Sequence, residues 1–381
     1  MINYIQFKEK IKKRLKILAI ENGIEITNIS EEVQYNINKA SDVLKIEVGE
    51  KYFYLDISIL FSQYEQQNLK LKEIYDIVDE IAENTPSLLQ DPSDIIEIKR
   101  EDVLLKLIYT QDNVELLKEL PHRDYLDLSI IYFLVTDKND EMMKTVLITN
   151  EMLEKSNLTE NQLYRMALSN TQKMFPLDIT NTLDDIDMVI EKIENGDYDD
   201  IESFSDFLNE DEDYEYYEDD EDYEIDEYSE IEDEYNEDEN EEINIDEIYS
   251  NLLDMKELMQ NSPEKDLMFY IHDEQYIMGS IALIYNSKIH EVAEMLDDDV
   301  YVFIPTNKEA MVCSVDFPLE SMLEYISTNI DSFLTNGLDQ LISFSIYKYE
   351  KDTRKISIEM DFATVIEKVK EILGQEDIED L

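Results

Sequence analysis

The chain has 381 residues, enough for two or three domains, and 43% of them are hydrophobic, which is sufficient for packed cores. Its net charge at pH 7 is −61, and 29 of its 93 acidic residues lie between positions 197 and 247, where lysine and arginine are absent. This excess argues against a surface that binds nucleic-acid phosphates. The single cysteine, Cys313, excludes an intrachain disulfide and a cysteine-rich zinc site, and its apolar surroundings predict a buried thiol.

The first predicted element is an amphipathic helix in "YIQFKEKIKKRLKILAIENG". Its expected apolar face holds Ile5, Leu15, Leu18 and Ala19, and the helix is expected to stop at Gly23. The polar face is strongly basic. Three arrangements are compatible with that face: packing on its own domain, which we favour, contact with an anionic membrane, or attraction to the acidic run.

The segment "DVLKIEVGEKYFYLDISIL" predicts two strands with Gly49 at the turn, and "LKLKEIYDIVDEIAEN" predicts a helix. Residues 1–95 are therefore expected to form a small N-terminal α+β domain. Next, "YLDLSIIYFLVT" and "KTVLITNEML" predict a β-hairpin. In the helix predicted after them, Thr159 and Gln162 have the spacing of a capping box. Residues 96–196 form the first half of a predicted main α+β domain.

Residues 248–381 are predicted to form the second half of that main domain. In this half "DLMFYIHD" and "GSIALIYN" indicate a hairpin with Gly279 at its turn, and "KIHEVAEMLDD" indicates a helix. "VYVFIPT" with "AMVCSVD" predicts a strand pair, "LESMLEYISTNI" a helix, and "ISFSIYKYEKDTRKISIEM" a last hairpin. The predicted fold class is α+β, with β-hairpin and helix units that form antiparallel sheets with packed helices.

The acidic run at 197–247 separates the two halves and contains seven tyrosines. Repeated like charges with few branched aliphatic residues predict a disordered insertion. A solvated spacer is the favoured interpretation. Attraction to a basic surface and imitation of nucleic acid are the alternatives, and the second needs a helical run, since an extended one spaces its charges too widely.

Blocks on both sides of this run resemble a known bacterial family. They include "LLKELPHRDYLDLSIIYFLV", "LITNEMLEKSNLTENQLYRMALSNTQKMFP" and "MGSIALIYNSKIHEVAEMLDDDVYVFIPTNKEAMVCSVD". In their order and spacing these blocks are similar to DUF5688, a family of unknown function. The resemblance implies no activity, and it supports the interpretation of the acidic run as an insertion into the family pattern.

The densest polar cluster is "PHRDYLD", which contains His122, Arg123, Asp124 and Asp127. A histidine beside carboxylates is able to act as a general base. The structural alternative, which we favour, pairs Arg123 with Asp124 at the entry to a strand. No nucleophile accompanies the cluster, and the best calcium-loop alignment places Ile193 at a ligand position, so neither a cofactor nor a metal is predicted.

The leading functional hypothesis is a non-enzymatic protein-interaction module that binds an unknown protein partner, and a basic protein is one candidate. No direct nucleic-acid binding is expected. No apolar stretch approaches the roughly 20 residues needed for a membrane span, and we expect a cytoplasmic location. One alternative is an enzyme of unknown reaction with its site at the "PHRDYLD" cluster. The other is an acidic inhibitor or nucleic-acid mimic that fills a basic groove.

Overall fold

The computed structural model describes residues 2–21, 23–65, 69–83, 89, 96–138, 143–196, 245–263, 267–335 and 341–374. The predicted disorder of the acidic run therefore falls on residues outside this description as far as position 244. Within the described residues the chain forms eleven α-helices and three antiparallel sheets, which confirms the α+β class. None of these helices is both long and apolar enough to cross a membrane.

The first sheet is a three-stranded meander, in the order β1-β2-β3, covered by helices. Its strands and helices are α1 (Tyr4–Glu21), β1 (Ile26–Asn36), β2 (Lys39–Val48), β3 (Lys51–Asp56), α2 (Ile57–Glu65) and α3 (Leu71–Glu83). The predicted strand pair around Gly49 is confirmed, and Gly49 has the positive φ of +66° that its tight turn needs. Strand β1 was not predicted, because its sequence is mostly polar and its side chains are half-buried or exposed.

Helix α1 packs on this sheet, as the favoured interpretation proposed. Phe7, Ile11, Leu15 and Leu18 contribute to the core beneath it. The expectation that Ile5 belongs to the apolar face was wrong, since its side chain is 71% exposed. The spacing of four, four and three residues from Phe7 to Leu18 defines a helical stripe that leaves position 5 on the outside.

Three basic residues of α1 form ion pairs on the same sheet and helices. Lys8 lies 2.7 Å from Glu31, Lys12 pairs with the same carboxylate, and Arg14 pairs with Asp79. These ion pairs connect part of the basic face of α1 to the sheet and to α3.

The second sheet is built around the long strand β6. Its elements are β4 (Val103–Tyr109), α4 (Val114–Leu117), β5 (His122–Tyr125), β6 (Leu128–Lys138), β7 (Met143–Leu147), α5 (Asn150–Ser156) and α6 (Glu160–Met174), after a 3-10 turn at Arg100–Asp102. Strand β4 pairs with one side of β6, while β5 and then β7 pair with its other side. The predicted β6–β7 hairpin and the capping box of Thr159 and Gln162 are confirmed.

Helix α6 covers one face of the second sheet. The Thr171 hydroxyl accepts a hydrogen bond from the backbone N–H of Leu105 in β4 at 3.1 Å. The Asn170 amide donates to the carbonyl of Val103 at 2.9 Å. These bonds hold the helix on the sheet.

The third sheet has six strands in the order β13-β12-β10-β11-β9-β8. Its elements are β8 (Leu177–Asn181), β9 (Phe269–Asp273), α9 (Ser287–Leu296), β10 (Val300–Phe303), β11 (Glu309–Ser314), α10 (Leu319–Thr335), β12 (Ile346–Glu350), β13 (Lys355–Met360) and α11 (Phe362–Leu373). The predicted pairing of β10 with β11 and the last hairpin, β12 with β13, are confirmed.

The predicted hairpin of "DLMFYIHD" with "GSIALIYN" was wrong. Residues Gly279–Leu283 form a 3-10 helix, and all five are buried. An apolar run of this length has the same sequence signal whether it is a buried strand or a buried turn of helix. Gly279 lies against backbone, since a Cβ there would meet the carbonyl oxygen of Lys308 at 2.3 Å. Glycine is therefore required for close approach and not for a hairpin turn.

The chain divides into two compact units, residues 1–178 with 271–381, and residues 179–270. In the second unit, α7 (Thr182–Asn195) and α8 (Ile245–Gln260) pack together through a small core that includes Ile190, Ile248 and Leu252. The sequence-based boundaries at residues 95, 196 and 247 stay a prediction.

Candidate functional site

The "PHRDYLD" cluster lies on the edge strand β5 and the turn after it. The His122 ring nitrogen Nδ1 is 3.0 Å from the carbonyl oxygen of Leu120, two residues earlier. Its Nε2 is 4.0 Å from a carboxylate oxygen of Asp124, whose side chain is 85% exposed. The two residues therefore make a loose contact at the surface, without the short hydrogen bond that fixes a catalytic imidazole.

Arg123 pairs with Glu160 on α6. It does not pair with Asp124, which is the partner that the structural interpretation had expected. Its Nε and Nη2 atoms donate to the two oxygens of Glu160 at 3.1 and 2.8 Å. The guanidinium also lies over the ring of Tyr164, 3.9 Å from its centre. Neighbouring residues of a strand point to opposite faces, so Arg123 and Asp124 are directed apart.

Tyr132 completes this ion pair from β6. Its hydroxyl donates to Glu160 at 2.5 Å, and burial, followed by that bond, raises the pKa of Tyr132 far above its usual value. Burial alone would raise the pKa of Glu160, but hydrogen bonds from Arg123 and Tyr132 together hold it below its ordinary value. The group is a satisfied ion pair with a buried donor, which is typical of structural support.

Asp127 forms hydrogen bonds with a different group of residues. Its carboxylate accepts hydrogen bonds from the Ser345 hydroxyl at 2.6 Å and from the Tyr347 hydroxyl at 2.9 Å. Tyr347 is fully buried, and its pKa is well above the usual value because of burial and then the charge of Asp127. The four predicted site residues are thus adjacent in sequence, yet their side chains do not converge on one reacting point.

A cleft lies on the face of the second sheet opposite α6, and we call it the sheet cleft. Its volume is about 520 Å³, within the range of roughly 300–1,000 Å³ typical of ligand sites. Its floor consists of side chains from β4, β6 and β7: Lys106, Ile131, Phe133, Met143, Thr145 and Leu147. The register pairs Lys106 with Ile131 and Phe133 with Leu147, which places them side by side on one face.

The walls of the sheet cleft come from three other segments: Ile37 at the β1–β2 turn, Tyr276–Met278, and Asn307 with Lys308. The carboxylate of Asp273 shapes the second segment, since it accepts hydrogen bonds from the backbone N–H groups of Ile277 at 3.0 Å and Met278 at 2.6 Å. The rings of His272 and Tyr276 stack with centres 4.2 Å apart. This wall is therefore held in position before any ligand arrives.

Asn307 brings a polar group into the mostly apolar sheet cleft. The residue is 6% exposed, and its side-chain oxygen Oδ1 has no hydrogen-bond partner in the described part of the chain. An unpaired buried oxygen costs about 1–3 kcal/mol. Its backbone carbonyl, by contrast, accepts a bond from the N–H of Ser280 at 3.3 Å. The amide oxygen is thus an acceptor without a donor in the described residues, and it is itself buried behind the wall of the cleft.

The sequence did not indicate the sheet cleft. The sequence around Asn307 contains no pattern that indicates a binding site. One signal was available: "SIIYFLV" is apolar at successive positions, which is typical of a strand that is covered on both faces. It does not reveal that one of those faces is only partly covered.

The described residues contain no group of three or more histidine, cysteine, aspartate or glutamate side chains arranged to hold a metal ion. The predicted burial of the Cys313 thiol is confirmed, because the residue is fully buried in β11. Burial raises the pKa of this thiol to about 12. At neutral pH it is protonated, so it is a poor nucleophile.

Comparison with models of known protein families gives a match. A family model described as "Family of unknown function (DUF5688)" matches residues 4–351, which confirms the resemblance found in the sequence blocks. No curated protein and no solved structure matches the chain. The description of the matching family names no activity, substrate or partner.

Proposed function

Because the chain belongs to the DUF5688 family of unknown function, we propose its function from its own geometry: a non-enzymatic protein-interaction module that docks a partner segment in the sheet cleft. The observation that carries this proposal is the apolar floor of β6 and β7. Ile131, Phe133 and Leu147 line the cleft on a face that α6 does not cover, and of these Leu147 keeps partly exposed apolar surface. Partly covered apolar surface beside a cleft is typical of sites that bind other proteins.

Strand β7 supports the same proposal. In the described sheet it pairs with β6 alone, so its other edge is not part of a ladder. Three of its residues, Met143, Thr145 and Leu147, contribute alternate side chains to the cleft floor. An extended partner segment is able to follow such a strand with its own side chains on the floor.

The polar groups of the sheet cleft favour binding over catalysis. Among the lining residues that the structure describes, the titratable side chains are Lys106, Tyr276 and Lys308, and neither a carboxylate nor a histidine lines the cleft with them. General acid–base chemistry needs a paired acid and base near the reacting atom. The enzyme hypothesis at His122, Arg123, Asp124 and Asp127 stays a prediction without a contact that favours it.

The hypotheses that concern the acidic run also stay predictions. These are a basic protein partner, an inhibitor or nucleic-acid mimic, and a spacer. The expected cytoplasmic location belongs with them. These hypotheses concern residues that lie outside the described part of the chain as far as position 244.

Site-specific photo-crosslinking in producing cells tests the docking surface. We replace Ile277, which is 40% exposed at the cleft wall, by benzoylphenylalanine. The matched control carries the same group at Ile358 on β13, which is 38% exposed and does not line the cleft. We expect adducts with another polypeptide from position 277 and not from 358. Equal yields from both positions, or none from either, would contradict the proposal.

A further inference from the structure

We propose that the exposed side of helix α1 is a second interaction surface, which binds an acidic amphipathic helix of a protein partner. This surface, which we call the α1 ridge, consists of Lys10, Lys13, Lys16, Ile17 and Ile20. The described lining of the sheet cleft includes none of them, so the inference goes beyond the proposed function. It depends on the free charge of the lysines, on the spacing of the ridge along the helix, and on the acids at its two sides.

The lysines of the α1 ridge are available to a partner. The other three bases of the helix are bound to carboxylates of β1 and α3. Lys10, Lys13 and Lys16, by contrast, have exposed side chains and form neither an ion pair nor a hydrogen bond with the described residues. A partner carboxylate therefore meets these ammonium groups without the need to displace a carboxylate of the protein.

The α1 ridge also contains exposed apolar surface. Ile17 is 39% exposed and Ile20 is 82% exposed. Positions 10, 13, 17 and 20 are separated by three, four and three residues, so they form one stripe along the helix. This is the spacing with which two helices pack side by side. The buried stripe that begins at Phe7 lies on the opposite side of α1, against the first sheet. The helix therefore has two stripes, and the outer one remains largely exposed.

The two ends of the α1 ridge specify the chemistry of the partner. Lys10 and Lys13 form its basic end, and Ile17 and Ile20 form its apolar end. At about 1.5 Å per residue the stripe is about 15 Å long, which a partner helix of about three turns covers. Such a helix needs carboxylates against the lysines and aliphatic side chains against the isoleucines. Complementary charge at one end acts mainly on specificity and on the orientation of the partner.

The acids on both sides of the α1 ridge favour a narrow partner over an anionic membrane. Glu31 of β1 binds one side of the helix, and Asp79 of α3 binds the other. Glu73 and Asp76 of α3 are also exposed. A flat layer of lipid phosphates that reaches Ile20 comes close to these carboxylates as well, and like charges repel. A single helix contacts the ridge alone, so it meets the lysines without this repulsion.

Selection from a library tests the chemistry of the partner. The intact protein is presented with phage-displayed single-helix peptides of about three heptads, at about 0.15 M salt. Peptides that bind the double variant Lys13→Gln/Ile20→Ser equally well are discarded. We expect the remaining peptides to contain an apolar stripe at intervals of three and four residues and more Asp and Glu than Lys and Arg. Enrichment of basic peptides, or of none that distinguishes the two proteins, overturns the inference.

A selected peptide is then titrated against single variants by calorimetry. Lys13→Gln should weaken binding by about 2- to 5-fold, the range of one exposed ion pair. Ile20→Ser should weaken it by about 10-fold, because the apolar surface that the partner covers is lost. The matched controls are Lys368→Gln and Ile372→Ser on α11, whose side chains are also exposed. Both controls should leave the affinity unchanged. Equal losses from the controls contradict a site on α1.

Vesicles of phosphatidylglycerol and phosphatidylcholine in equal parts test the competing partner. Sedimentation of the intact protein with these vesicles is compared with that of the double variant Lys13→Gln/Ile20→Ser. We expect the two proteins to behave alike, since the acids beside the ridge oppose the approach of the lipid surface. Vesicle binding that the double variant loses assigns the α1 ridge to a membrane surface and refutes the protein partner.

Discussion

The polar cluster at His122–Asp127 and the sheet cleft belong to one sheet, and their polar groups are in opposite states. In the cluster, Arg123 is bound to Glu160, and Asp127 accepts bonds from two hydroxyls. In the cleft, the side-chain oxygen of Asn307 is buried without a partner in the described residues. The dense set of polar residues thus contains contacts that hold the fold, whereas the oxygen of Asn307 contributes no such contact within the described residues.

Among the substitutions that test this comparison, Asp127→Ala is expected to have the largest effect on the stability of the protein. The substitution leaves the hydroxyls of Ser345 and Tyr347 without their acceptor, in a place where Tyr347 has no exposed surface. We expect a loss of about 3 kcal/mol in the free energy of unfolding, measured with urea, since each buried unsatisfied donor costs about 1–3 kcal/mol.

The control is Asp124→Ala in the same cluster. Its side chain is 85% exposed, so the change should remain within about 0.5 kcal/mol. If both substitutions destabilise the protein equally, the cluster acts as a unit, and our separation of its members fails.

A smaller effect is expected from the Arg123–Glu160 pair. Arg123→Met removes two charge-assisted bonds that are partly exposed, and we expect a loss of about 1–2 kcal/mol at pH 7. The matched control is Lys155→Met, whose pair with Glu151 lies on the surface of α5 and should contribute less than about 0.5 kcal/mol.

The pH dependence of the stability difference between the wild type and Arg123→Met tests whether the ion pair with Glu160 causes it. The pKa of Glu160 is lowered in the folded protein, against the effect of burial, by its bonds to Arg123 and Tyr132. Its contribution to stability is therefore present above the unfolded pKa of about 4.3 and is lost as the pH falls through the folded value. The difference in the free energy of unfolding between the wild type and Arg123→Met should be constant above about pH 5 and should become smaller below it. A difference that does not become smaller contradicts this assignment.

Local signals predicted local structure well. The capping box at Thr159 and the β6–β7 hairpin depend on residues close in sequence, and both were predicted correctly. The partner of Arg123 was not, because Glu160 lies 37 positions away and nothing in "PHRDYLD" refers to it. The sheet cleft needs the β1–β2 turn, β6 and the loop at Asn307 together, and a sequence pattern does not specify how such distant segments meet.

The smallest effect on stability, near zero, is expected from Asn307→Ala, and it is the sharpest test of the comparison. Asn113 is an equally buried asparagine, 2% exposed, but its amide donates to Asn38 and Tyr109 and accepts from the backbone N–H of Asn38. Asn113→Ala should therefore cost about 2–3 kcal/mol, since it removes three bonds and leaves buried groups unpaired.

Asn307→Ala removes an unfavourable unpaired oxygen but also removes buried packing, and these two effects oppose each other, so the free energy of unfolding should change by less than about 1 kcal/mol in either direction. Urea unfolding of both variants gives the difference directly. A loss at Asn307 as large as that at Asn113 would mean that the amide already has a structural partner, such as a bound water. The cleft would then be as fully satisfied as the cluster. A near-zero value means that the amide of Asn307 contributes little to the stability of the fold, in contrast to the amide of Asn113.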